Sequence, residues 1–136
     1  MYSVLVVDDN KTNLQLLKQL LSKRYHVILV LSGRLALHYV EKRRPDIILL
    51  DLLMPEMDGM AVLEALKRMP SAKDIPVIFL TADREKETED SCRKAGAADF
   101  IAKPFVPEVM VTSIEKALES ARLRTALKSK VESAES

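Results

Sequence analysis

Apolar positions along the chain gather into five short blocks, separated by stretches with helical spacing. The blocks are Ser3–Val7 (SVLVV), His26–Leu31 (HVILVL), Ile47–Leu50 (IILL), Pro76–Thr81 (PVIFLT) and Asp99–Lys103 (DFIAK). Runs rich in Val and Ile, with no polar alternation, read as strands covered on both faces. Between them the period lengthens. Leu14, Leu17 and Leu21 fall on one face of a helix that Asn10 or Thr12 is placed to cap. Further helices are expected from Ser32-Gly33 to near Arg44, where Pro45 stops the run, and from about Asp58 to Arg68. Two more are expected from Asp83 to Lys94, closed by Ala95-Gly96, and from Pro107 onward. Each crossover has about twenty residues, enough for the helix that a parallel connection requires. The pattern predicts an α/β chain: an open parallel sheet of five strands, helices on both faces and right-handed crossovers.

Ligands of such sheets bind at the carboxyl ends of the strands. Those ends carry Asp8 and Asp9, Asp51, Thr81 and Lys103, while the second strand ends on Leu31-Ser32 without charge, as suits an edge strand away from a site. Asp51 opens the run D-L-L-M-P-E-M-D-G, in which Met54-Pro55 and Asp58-Gly59 mark a loop. Carboxylates brought within about 4 Å repel by roughly 4 kcal/mol per pair at an effective dielectric near 20. Such a cluster raises a pKa or holds a cation. The candidate ligands are all oxygens, without paired His or Cys, so a hard ion such as Mg²⁺ suits them and zinc does not. A lysine and a hydroxyl complete a set fitted to a phosphoryl group. Asp51, the central carboxylate, is able to attack phosphorus and form an aspartyl phosphate.

Composition narrows the field. With 136 residues, 48% hydrophobic and 30% charged, the chain has the profile of one soluble globular domain. A net charge of +1 offers no general attraction to nucleic acid or membrane. No apolar run approaches the roughly 18 residues of a membrane span, and no signal-peptide pattern opens the chain, so a cytoplasmic location is expected. The single Cys92 excludes an internal disulfide framework. Nucleotide-cradling glycine loops are missing from a sequence with three glycines. His26 and His38 lie away from the acidic set and read as structural.

The set Asp8-Asp9, Asp51 in its D-L-L-M-P-E-M-D-G run, Thr81-Ala82 and Lys103-Pro104-Phe105 resembles the receiver domain of bacterial two-component response regulators. It spans residues 3 to about 121 in matching order. The resemblance implies a flavodoxin-like, doubly wound sheet in the order 2-1-3-4-5, which periodicity alone leaves open. It implies Asp51 as phosphoacceptor, and a Mg²⁺ site from Asp9 directly, Asp8 through water, Asp51 and the backbone carbonyl of Leu53. Thr81, Ala82 and Lys103 are implied as the phosphate-binding residues, with a cis bond between Lys103 and Pro104. Phe100 corresponds to the switch aromatic that moves with Thr81. Leu53 and Asp83, two places after Asp51 and Thr81, fall where the family tunes the lifetime of its phosphate. The implied partners are a histidine kinase or phosphotransfer protein as donor, and an output domain or target protein. The implied role is a regulator, not an enzyme acting on external substrates.

Two other readings share these residues. A phosphatase working through an aspartyl phosphate needs a second acid two places after its nucleophile, where this chain has Leu53, and a cap domain for which there is no room. A receiver that binds partners without phosphorylation would not need every motif position filled. Residues 1–121 are expected to form the receiver and 122–136 an extension of the last helix or a linker. Met110, Ile114, Ala117, Leu118 and Ala121 can face the sheet, while Leu123, Leu127 and Val131 continue at i, i+4 and i+8 among Arg122, Arg124, Lys128 and Lys130. That stripe suits pairing with a second copy, a phosphorylation-dependent homodimer. The basic residues read as a solvated face, without nucleic acid contact. No recognisable output domain follows, so a stand-alone regulator and a piece of a longer protein both stay open.

Overall fold

The computed structural model describes residues 1–135, with side chains through Val131; Ser136, the end of the expected extension, lies outside the described residues. Five strands, β1 (Ser3–Val7), β2 (His26–Val30), β3 (Ile47–Asp51), β4 (Val77–Thr81) and β5 (Asp99–Ala102), alternate with five helices. The helices are α1 (Lys11–Leu21), α2 (Gly33–Lys42), α3 (Gly59–Arg68), α4 (Lys86–Lys94) and α5 (Pro107–Glu135). All strand pairs are parallel, in the order β2-β1-β3-β4-β5. This is the doubly wound, flavodoxin-like sheet expected above.

Alternate strand residues feed two separate cores. Val4, Val6, Ile47, Leu49, Ile78 and Leu80 pack with α1 and α5, against Leu14, Leu17, Leu21, Met110 and Ile114. Leu5, Val7, Ile48, Leu50, Val77 and Phe79 pack on the other face with Ala36, Val40, Val62, Leu63, Leu66 and Cys92. β1, β3 and β4 are therefore covered on both sides, which is why their sequences show no polar alternation.

Capping sets the helix starts. The side-chain oxygens of Asn10, Ser32 and Asp58 accept the backbone N–H groups of Asn13, Leu35 and Ala61, the usual remedy for unpaired amides in a first turn. Asn10, rather than Thr12, is the cap of α1. Gly96 ends α4 with φ of 106°, while its N–H bonds to Arg93 O and that of Ala97 bonds to Cys92 O.

Three readings need correction. α4 begins at Lys86, not Asp83, because the Asp83 carboxylate accepts the Glu85 N–H and the Thr88 hydroxyl, both at 2.8 Å, and so shapes the approach to the helix. β5 stops at Ala102, since the Lys103 amide, though bonded to Thr81 O, opens the turn into Pro104. His26 and His38 are exposed and support neither core. α5, left open between helix and linker beyond Ala121, is a single helix of 29 residues. Among the described residues, no helix is long and apolar enough to cross a membrane.

Candidate functional site

The parallel register brings the ends of β1, β3, β4 and β5 to one edge of the sheet, since Val7 pairs with Leu50, Asp51 with Leu80 and Thr81 with Ala102. Asp8 is fully buried, Asp51 nearly so, and Asp9 is exposed. Each of the three offers a carboxylate oxygen within 4.8 Å of the others. Lys103 Nζ reaches between two of them, 3.4 Å from Asp51 Oδ1 and 3.5 Å from Asp8 Oδ2. The Lys103-Pro104 peptide bond is cis.

Each carboxylate is held differently. Asp8 accepts the Asn10 N–H at 2.9 Å and the Asn13 side-chain amide at 3.2 Å, which fix its orientation at the start of α1. Asn13 was not among the sequence candidates. Its place three residues after a capping Asn is the signal that points its side chain back toward Asp8. Asp51 has no such backbone donor. Burial first and then the Asp8 charge, with a smaller push from Asp9, hold its carboxyl up at about 6 against the opposing Lys103 ammonium.

The loop after β3 is held tightly to the strand. Gly59 N–H donates to Leu52 O at 2.8 Å, and Glu56 adopts a positive φ of 64° to complete the turn. A Cβ on Gly59 would lie 2.5 Å from the carbonyl oxygen of Asp51 itself. The side chain of Leu53 is exposed. Thr81 is fully buried at the end of β4, and its Oγ1 accepts the Asp83 N–H at 3.1 Å. Ala82 is exposed beside it. Phe100, half-buried on β5 opposite Phe79, packs against the α2–α3 side of the core.

The donor set fits a hard divalent cation. Three acids face one ammonium, and all the donors are oxygens. A nucleophilic carboxylate, a hydroxyl and an ammonium around such an ion form an arrangement for phosphoryl transfer.

A doubly wound sheet with this acidic edge defines a class, and residues 4–115 match the family model for the response regulator receiver domain. The chain belongs to that family. Receiver domains are phosphoacceptor regulators in two-component signalling, and they bind Mg²⁺ at an acidic pocket. Among relatives, the polar-differentiation response regulator DivK of Brucella anthropi is 37% identical over 112 residues, 81% of this chain and 91% of DivK. A probable cyclic di-GMP phosphodiesterase of Vibrio cholerae is 33% identical over 92% of this chain, which spans only 28% of that relative. The solved structure of Vibrio cholerae chemotaxis protein CheY4 has a TM-score of 0.82 at 30% identity, covering 86% of this chain and 98% of CheY4.

Proposed function

We propose that Asp51 accepts a phosphoryl group from a partner's phosphohistidine, and that the new acyl phosphate resets the surface formed by α4, β5 and α5. One observation carries this reading: Asp8, Asp9, Asp51, Thr81 and Lys103 come from four strand ends to one edge, where the Asp51 carboxylate clusters with the other two acids and the Lys103 ammonium lies within 3.5 Å of both Asp51 and Asp8. An Asp51 oxygen attacks phosphorus, the P–N bond breaks, and the imidazole nitrogen keeps the electron pair and takes up a proton. Asp8, Asp9, Asp51 and the Leu53 carbonyl would hold Mg²⁺, which when bound neutralises charge on the phosphoryl oxygens. Lys103 pairs with a phosphoryl oxygen, and the Thr81 hydroxyl donates to another beside the small Ala82. Phe100 follows Thr81 inward. The acyl phosphate carries about −1.5 to −2 charges and three acceptor oxygens where one carboxylate carried a single charge, enough to bias two arrangements of these loops.

The chain is expected to take up one acid-labile phosphate from a small phosphodonor, only with Mg²⁺. Borohydride reduction should then place the label at Asp51 by mass spectrometry. Labelling that survives chelation, or maps elsewhere, overturns the assignment.

The same reading places the protein in the cytoplasm with a histidine kinase or phosphotransfer protein as donor. This chain spans about a quarter of several relatives, such as the response regulator PleD of Caulobacter vibrioides, 26% of which it covers. An output portion or a separate target would read the changed surface. Exposed Leu123, Leu127 and Val131 on α5 form a stripe suited to a second copy. Sedimentation should show dimers on adding Mg²⁺ and beryllofluoride, and Leu127→Glu should keep the chain monomeric. A monomer under both conditions removes the pairing.

A further inference from the structure

Arg84 stands outside the acidic set and outside every motif of the sequence. It lies in the short loop between Thr81 and α4, a segment bonded into one unit. Thr81 Oγ1 accepts the Asp83 N–H, and the Asp83 carboxylate in turn accepts Glu85 N–H and Thr88 Oγ1. The side chain of Arg84 reaches out of that unit: its Nη2 donates to the backbone carbonyl oxygen of Lys103 at 2.9 Å. Lys103 N–H donates to Thr81 O at 2.8 Å. A closed ring of contacts therefore joins the residue proposed to give phosphate a hydroxyl to the residue proposed to give it an ammonium.

We propose that Arg84 is a positioning residue, a latch that holds the β4–α4 loop and the Thr81 hydroxyl in their unphosphorylated place by gripping the Lys103 carbonyl. The proposal rests on Asp51 as phosphoacceptor. When the Thr81 hydroxyl moves to an oxygen on Asp51, the Asp83 amide follows it, and Arg84 is the next residue along the chain. Lys103, and its carbonyl with it, stays with the sheet through the hydrogen bond that its N–H donates to Thr81 O. Movement of the loop thus strains or breaks the guanidinium contact, and the contact favours the resting arrangement. A contact made in only one of two states shifts the balance by its own net strength. A hydrogen bond from a charged donor at a wet edge corresponds to about a 3- to 10-fold change in that balance.

The test is the affinity for beryllofluoride, a phosphoryl mimic, measured by calorimetry with Mg²⁺ on the whole chain. Arg84→Ala is expected to bind the mimic about 3- to 10-fold more tightly than the parent, and Arg84→Met the same. Arg84→Lys, which keeps a donor and the charge, should fall back toward the parent. The Tm of Arg84→Ala should stay within about 2 °C of the parent, because an exposed side chain away from the core carries little stability. Raising the salt from about 0.1 to about 1 M should leave the affinity ratio intact if the bond acts, whereas a long-range field would be screened. Equal or weaker binding by Arg84→Ala overturns the latch, as does a ratio that collapses in salt. A parent chain that binds no mimic takes away the phosphoacceptor reading and the latch with it. A parent that binds while Arg84→Ala is unchanged removes only the latch.

Discussion

Asp51→Asn is expected to lose acid-labile phosphate by about 100-fold or more, while becoming more stable than the parent at neutral pH. The first effect follows from the loss of the attacking oxygen: an amide has no anionic oxygen to offer phosphorus. The second follows from the neighbours. In the folded chain burial lifts the Asp51 carboxyl to about 6, well above its ordinary 3.8. Below about pH 4 the group is protonated in both folded and unfolded chains and costs nothing. Between about 4 and about 6 the unfolded chain has released the proton that the folded chain still holds, so stability falls as pH rises. Above about 6 the full penalty remains, on the order of 2 kcal/mol once solvent screening is allowed for. Removing that charge should raise Tm by roughly 5–8 °C at pH 7.5 in chelator, and by almost nothing at pH 4. Mg²⁺ should narrow the gap at pH 7.5 by stabilising the parent more than the variant. A variant that keeps full labelling, or that is less stable than the parent at both pH values, contradicts the placement of Asp51 among the acids.

How much of this was legible follows from how local each cause is. The strands were readable because β1, β3 and β4 are buried on both faces, and a doubly buried strand writes itself as an unbroken apolar run. The polar residues at their ends were readable for the same reason, since each stands where the apolar run stops. Strand order was not, because parallel neighbours are chosen by crossovers whose lengths are all alike; only the family resemblance supplied it. The start of α4 was misplaced because charged residues with high helix propensity continue back to Asp83, while the deciding fact is the carboxylate of Asp83 turned onto Glu85 and Thr88. Arg84 left no trace in the sequence, since a side chain bonded to a distant backbone oxygen imposes no residue type on its partner. Asn13 left a faint one, through its spacing from Asn10.

Gly59→Val is expected to be the most damaging single change to the fold, and the contrast with Gly96→Ala shows why. The sequence marks both glycines as ends of helical segments, yet the two are needed for different reasons. At Gly96 the backbone is left-handed and an added Cβ would meet the far end of the Lys67 side chain at 2.9 Å. That chain can swing away, so Gly96→Ala costs only the backbone preference, about 1–2 kcal/mol. At Gly59 the added Cβ would meet the Asp51 carbonyl oxygen at 2.5 Å, Leu52 Cα at 2.9 Å and the Phe79 ring at 2.9 Å. Two of those atoms are backbone at the end of β3, and the ring is fully buried, so nothing nearby yields cheaply. Either α3 backs away from the sheet, opening the core around Val62 and Leu63, or the end of β3 is displaced and Asp51 with it. Overpacking of this kind costs about 1–3 kcal/mol for one methyl, and the branched side chain of valine should exceed about 3 kcal/mol. Gly59→Ala is then the informative partner: a Tm lowered by roughly 4–10 °C, with phosphate uptake falling further than the unfolded fraction accounts for. Uptake that follows the folded fraction alone would mean the helix gives way and β3 does not, and Asp51 would keep its place regardless of what is packed behind it.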